Sequence, residues 1–366
     1  MLCWIAVIQL LYFLPICSSN YIVEIKGHLA RMHSNYIIRN ISSSNIHHCL
    51  HNCMENCSCL SFQICGTVCQ LLSTTITEGS LKEDGISQCN HFTMHISDIK
   101  ENESCCKETC QTIIDCCRTS SHCNNRGKCE LSKPSSRRRA SCNCDDGYVG
   151  DRCQTMARSC RSYRGQQNGQ YKIFTSDEQL ITVYCHFDGH RAWTLVQSFS
   201  LENSIYYKNK VYYKNFPRNV ASPCWKDYRL SLETMIGIKE DKNERWRITC
   251  NYTSINWNVG DRLEATHKNI ELLDEKKSKH DGNCVLAEYV EIRGASCSRC
   301  NISIFQKESW ILHIDSTFTS CGRFWNGIPC DNGYGEDNFG NYICVNPKHN
   351  CTSSNKATTQ LWFGNE

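Results

Sequence analysis

The stretch Cys142-Asn143-Cys144-Asp145-Asp146-Gly147-Tyr148-Val149-Gly150-Asp151-Arg152-Cys153 closes a run of six cysteines that opens with Cys117, Cys123 and Cys129. One residue separates Cys142 from Cys144, and eight separate Cys144 from Cys153. Gly147 and Gly150 can supply tight turns, and Tyr148 can cover the small core of a minor hairpin. A unit of roughly 40 residues cannot bury enough apolar surface to fold unaided, so these cysteines must be oxidised and the chain exported.

The N-terminus agrees. Leu2 to Ile16 is an apolar run broken only by Gln9 and Pro15 and followed by Cys17-Ser18-Ser19, which predicts a signal peptide over residues 1–19. The run falls short of the ~20 residues a bilayer requires. No later segment is long and apolar enough to span a membrane, and Trp362-Phe363-Gly364-Asn365-Glu366 offers no hydrophobic tail for lipid attachment, so a soluble, secreted mature protein is expected. With 40 Lys+Arg against 37 Asp+Glu, the formal net charge of +3 supplies no global field toward nucleic acid or membranes, and no nucleic-acid partner is expected.

Of the 30 cysteines, Cys3 and Cys17 leave with the leader, so 28 remain. Each native bridge contributes ~2–4 kcal/mol, and Cys-x-x-Cys spacings read as disulfide framework before zinc site. Six Asn-x-Ser/Thr acceptors, at Asn40, Asn56, Asn102, Asn251, Asn301 and Asn350, predict glycans. At Asn56 and Asn350 the middle residue is itself a cysteine, so pairing and glycosylation compete there.

In cysteine order and in its Asp-Gly-Tyr-Val-Gly tail, residues 117–153 resemble an EGF-like module. That resemblance implies a small all-β fold, the pairs Cys117–Cys129, Cys123–Cys142 and Cys144–Cys153, and a spacer or docking role. Ile113-Ile114-Asp115-Cys116 lacks the acidic set that precedes calcium-binding modules, so no calcium is expected here.

Upstream, Cys49, Cys53 and Cys57 fall four residues apart beside a stripe of Ile46, Leu50 and Met54, which predicts one face of a short helix. Leu60, Phe62 and Ile64 alternate like a half-buried strand, and Cys69-Gln70-Leu71-Leu72 follows. The helix cysteines would clip the helix to these strands. This pattern resembles a PAN/apple domain over residues 20–97, a small α+β fold that binds proteins or carbohydrates. Cys57 and Cys65 depart from its simplest form. Residues 98–116 read as a cysteine-rich, rigid linker, with Cys106, Cys110, Ile113 and Cys117 at helical spacing.

Residues 154–366 are long enough for a core of their own. Candidate strands are Val183–Phe187, Trp193–Val196, Trp246–Cys250, Val285–Ile292 and Trp310–Ile314. The start, with Ser159-Cys160, Gly169 to Ile173, Val183-Tyr184-Cys185 and Trp193 to Gln197, and the end, Thr358 to Gly364, resemble a fibrinogen-like domain, a larger mixed α+β fold. The resemblance implies a Cys160–Cys185 bridge. The middle diverges, without that family's calcium loop, its Trp-Trp or its Asn-Leu-Asn-Gly stretch. The fold class read from the chain is therefore multidomain and disulfide-rich.

Asp331, Glu336 and Asp337 lie in a glycine-rich acidic stretch that reads either as a calcium loop or as an acidic surface turn. His47 and His51 share a helix face but lack the converging ligands of a zinc site, so they read as solvent-facing. Cys297-Ser298-Arg299-Cys300 lacks the strand-to-helix context of a redox motif and reads as two structural disulfide halves. Arg137-Arg138-Arg139 offers forks for an acidic polymer, a protease site or a plain solvated loop. The chain contains no Gly-x-Ser-x-Gly elbow, His-Glu-x-x-His helix or phosphate-cradling loop, so neither an enzyme nor a cofactor is expected.

In layout the chain is similar to cysteine-rich secreted proteins of marine invertebrates, including those of the skeletal organic matrix of stony corals. That resemblance implies an extracellular matrix or adhesion protein with extracellular proteins or glycans as partners. The near-neutral charge suits an organic framework of a biomineralised skeleton rather than an acidic nucleator. A soluble lectin-like protein that binds glycans through the C-terminal domain is the alternative. Apart from the EGF-like six, 11 cysteines precede and 11 follow, from Cys49 to Cys116 and from Cys160 to Cys351. Either one bridge crosses between the flanking units or each side offers a cysteine to another chain, which would make a disulfide-linked oligomer.

Overall fold

The computed structural model describes residues 16–18, 21–29, 34–74, 89–98, 117, 120–131, 140–255, 257–308, 310–315, 321, 327–330 and 335–365. The chain divides into two compact units, Met1–Asp145 with Gly150–Gln154, and Asp146–Val149 with Thr155–Glu366. Both are mainly β, and eleven disulfides join described residues.

The first unit contains β1 (Ile16–Ser18), β2 (Tyr21–Leu29), β3 (Ile37–Ser42), α1 (Ile46–Met54), β4 (Ser61–Cys65), β5 (Val68–Leu72) and β6 (Asn90–Asp98). The strands form one sheet in the order β1-β2-β6-β4-β5-β3, so β1, within the predicted leader, is an edge strand. Helix α1 starts where Asn45 Oδ1 accepts from His47 N at 2.8 Å and His48 N at 3.3 Å, satisfying two amides with no partner in the first turn. Its buried face is Cys49, Leu50, Cys53 and Met54.

The helix ends before Cys57, so that cysteine does not share the predicted stripe. Cys49–Cys69 fastens α1 to β5, Cys53–Cys59 fastens it to the approach to β4, and Cys65–Cys89 ties β4 to the approach to β6. The alternation through Leu60, Phe62 and Ile64 predicts a strand with one wet face. Instead β4 lies between β5 and β6 and is buried on both sides. Its polar members find partners indoors: Gln63 Nε2 donates to Gln70 Oε1 at 2.6 Å, and the Ser61 hydroxyl donates to the Thr74 carbonyl.

Further along, β7 (Gly127–Leu131) and β8 (Ala140–Cys144) pair antiparallel with Cys129 opposite Cys142. The bridges here are Cys117–Cys129, Cys123–Cys142 and Cys144–Cys153. Gly147 and Gly150 take φ of 81° and 95°, the turn conformations that glycine adopts without a steric penalty. The division of the chain does not fall at Cys153. Strand β9 (Tyr148–Val149) pairs with β10 (Thr155–Met156), Ala157 N donates to Gly147 O at 2.8 Å, and Tyr148 meets Phe174 at 5.0 Å, so Asp146–Val149 join the second unit. The expected linker helix lies outside the described residues.

The second unit adds β11 (Gly169–Phe174), β12 (Leu180–Asp188), β13 (Arg191–Ser200), α2 (Ser204–Tyr207), β14 (Asp227–Arg229), α3 (Leu232–Glu240), β15 (Arg245–Cys250), β16 (Arg262–Thr266), β17 (His280–Ile292), β18 (Ala295–Lys307), β19 (Trp310–Asp315), β20 (Asp337–Asn338) and β21 (Thr358–Gly364). Their sheet runs β11-β12-β13-β21-β15-β16-β17-β18-β19-β20, with β14 beside β13. The expected strands fall within β12, β13, β15, β17 and β19. Where the fibrinogen-like resemblance fails, the chain builds the long β17–β18 hairpin. Along β15, Trp246 and Ile248 share a face by the two-residue period of a strand, and Arg245 and Arg247 share the other.

Candidate functional site

The second face of this sheet carries an unusual mixture of guanidinium and indole groups. In β15, Arg247 lies opposite Trp362 of β21 on one side and Glu264 of β16 on the other. Trp193 lies opposite Gly364, whose missing side chain leaves room for the indole; a Cβ there would overlap its ring. Trp257, in the connection from β15 to β16, folds back to within 5.6 Å of Trp193 and 5.3 Å of Trp362. His186 stacks on Trp257 at 3.9 Å, and its Nδ1 is 2.8 Å from Tyr252 Oη. Tyr252 stacks on Trp225 at 5.3 Å, so the ring array reaches an indole that is 37% exposed.

Burial holds His186 near pKa 4, and it is therefore uncharged at neutral pH. Offset and edge contacts of this kind add about 0.5–1.5 kcal/mol per pair beyond area burial, so the array is a rigid wall.

Beside the array lies a cavity of about 540 Å³. Four arginines line it: Arg191 from the start of β13, Arg245 and Arg247 from β15, and Arg262 from β16. Three of them meet carboxylates. Arg191 and Arg245 reach Glu264 at 3.2 and 3.6 Å, and Arg262 reaches Glu291 at 3.0 Å while lying 4.0 Å over the Tyr289 ring.

Arg247 differs. It is only 2% exposed, its guanidinium stacks 4.2 Å from the Trp257 centroid, and Nη2 donates to Asn258 Oδ1 at 3.0 Å. Its Nε has no partner, and no carboxylate pairs with it among the described residues. Burial lowers its pKa to about 10, with Glu264 opposing the shift, so it remains a cation at neutral pH. Asp188 and Glu288 also line the cavity and add acceptors to the donors.

The site residues named from sequence are distributed differently. Cys160–Cys185 is bonded, as are Cys117–Cys129, Cys123–Cys142 and Cys144–Cys153. Asn40 and Asn301 are exposed, and Asn56 is half-buried. Asn251 and Asn350 are exposed neighbours: Asn251 Nδ2 donates to Asn350 O at 2.7 Å, and Cys250–Cys351 bridges the adjoining positions. Asn102, Arg137, Arg138, Arg139 and Asp331 lie outside the described residues.

Glu336 and Asp337 are buried and already engaged. Glu336 accepts from Arg293 Nε at 2.7 Å and from the Asn346 amide, while Asp337 Oδ2 accepts from Ile343 N at 2.7 Å and Cys344 N at 3.0 Å. Their oxygens therefore brace the sheet rather than standing in an acidic surface turn. Cys297 and Cys300 bond to each other. Cys250, His349 and Cys351 converge at metal-like spacing, but the two sulfurs are bonded together and so cannot both ligate. His51 pairs with Glu55 at 3.1 Å. Among the described residues Cys224 is a free, exposed thiol, and no helix is long and apolar enough to cross a membrane.

Sequence reading did not find the arginine cavity. Its only trace was the alternation Arg245-Trp246-Arg247-Ile248, which resembles any strand with a wet face. Comparison with known protein families and with curated proteins gave no match to this chain.

Proposed function

We propose that the protein is a secreted, non-enzymatic binding component of an extracellular matrix, of the kind that forms the organic framework of a biomineralised skeleton. The observation that carries this reading is the dense set of disulfides fastening small units, a construction suited to an oxidising exterior and to keeping binding surfaces in shape. The PAN/apple-like and EGF-like units act as docking modules, and the fibrinogen-like unit supplies recognition. Cys224 is the cysteine left over on the C-terminal side, and it supports crosslinking to a second chain. A soluble lectin-like protein is the second reading, favoured by the arginine cavity.

Quantitative mass spectrometry of native tissue separates the two. Enrichment in salt- and detergent-washed matrix, with a disulfide-linked species that collapses on reduction, is the expected result. Recovery in fluid alone would reject the matrix role and leave the lectin-like one.

A further inference from the structure

We infer that the cavity beside β15 binds a sugar acid: a carboxylate or sulfate carried on a hydroxyl-rich ring of an acidic polysaccharide. This deepens the reading above by naming what the C-terminal unit recognises, and it rests on that reading.

Arg247, a cation 2% exposed, must be compensated, yet its guanidinium has one side-chain acceptor, Asn258 Oδ1 at 3.0 Å, and a free Nε. The Trp257 ring fixes its plane at 4.2 Å, so little rotamer freedom remains to be lost when an anion arrives. A planar fork held in this way suits a two-oxygen acceptor, which it can meet bidentately.

The rest of the lining decides the kind of anion. Glu264 already serves Arg191 and Arg245, and Arg262 is taken by Glu291, so the cavity is not an open field of positive charge. Asp188 and Glu288 face the same space. A ligand that crowds several anionic groups into the cavity at once would be repelled by these carboxylates. A single anionic group surrounded by hydroxyls is not repelled: its charge meets Arg247, and its hydroxyls donate to Asp188 and Glu288. At about 540 Å³ the cavity has room for a sugar ring, and Tyr289, with Arg262 over its ring, forms part of the wall.

Full-length secreted protein is titrated by calorimetry with three probes: an oligouronate bearing carboxylates without sulfate, a dextran oligosaccharide bearing at most one sulfate per ring and no carboxylate, and neutral dextran. Binding to one or both acidic probes and not to dextran is expected, and the preferred probe identifies the acid. Arg247→Lys, which keeps the charge but loses the fork, should weaken binding about tenfold or more, the scale of a lost charge-assisted contact. Arg191→Ala, at a partly exposed position, should weaken it about threefold, within the range of a partly exposed ion contact, and serves if the buried variant does not fold.

Dextran binding equal to that of the acidic probes, or unchanged affinity in the folded variants, would overturn the inference. If neither acidic probe binds while the protein is retained in washed matrix, the assignment of this cavity falls and the matrix reading survives. Failure of both retention and probe binding removes both.

Discussion

The two units of this chain solve the problem of a stable interior in opposite ways. In the first unit, Cys49, Cys53, Cys59 and Cys69 are themselves core residues, fully buried beside Leu50, Phe62 and Leu71. In the second, the core is a wide layer of indole and aliphatic side chains, with Trp193, Trp246 and Trp362 fully buried, and the bridged Cys160, Cys185 and Cys351 are a small part of it. Small units cannot bury enough apolar area relative to the entropy of ordering the chain, whereas larger ones can. Cross-links therefore hold the first unit together and packing holds the second.

The largest test of that contrast is Trp246→Ala. Trp246 is fully buried and its Nε1 donates to Ile270 O at 2.9 Å, so its removal should cost the second unit about 3–5 kcal/mol. Denaturant melts should show one transition moving and the other unchanged; a shift of both would mean that the units are not independently stabilised.

Replacing Cys49 and Cys69 together with serine should cost the first unit about 2–4 kcal/mol and leave tryptophan fluorescence of the second intact. A loss of secretion of the whole chain, with no fluorescent folded product, would show that the first unit governs folding of the second.

The smallest expected effect sharpens the comparison from the packing side. Burial lowers His267 to about pKa 4 and His349 to about 3, from 6.5. The folded state favours their neutral forms, so their contribution is complete above the unfolded value of 6.5 and is lost as pH falls toward 4 and 3. At about pH 5.5 the loss should be on the order of 1 kcal/mol per histidine. Asp261, whose pKa burial raises, works in the opposite sense. A flat melting temperature of the second unit between pH 7 and 5 would contradict this.

Legibility from sequence followed the same division. Cysteine spacing shows itself locally, so the bridges of residues 117–153 could be named from a resemblance that spans few residues. The strands containing Trp246 and Trp193 were readable because apolar runs are local too. What could not be read was anything set by register. The polar residues Ser61 and Gln63 look like a wet strand face until β5 and β6 enclose them. Arg247 and Arg191 look like ordinary surface charges until β21, paired with both β13 and β15, sets the start of one beside the start of the other. Such a site is built from residues more than fifty positions apart, and no short window contains it.

Strand β21 has a consequence for the order of events at the ribosome. It is synthesised after every other strand of its sheet, yet it occupies the place between β13 and β15, with Leu361, Trp362 and Phe363 all buried. Until residues 358–364 emerge, β13 and β15 have no strand to join them, and the indoles that will face one another remain exposed. The first unit can complete its bridges while synthesis continues, whereas the second must wait until residues 358–364 emerge. During that interval Asn251, whose side chain finally accepts from Thr358 N at 2.8 Å, is still free of the strand that will anchor it. Any sugar transferred to Asn251 would therefore have to be added before the sheet closes.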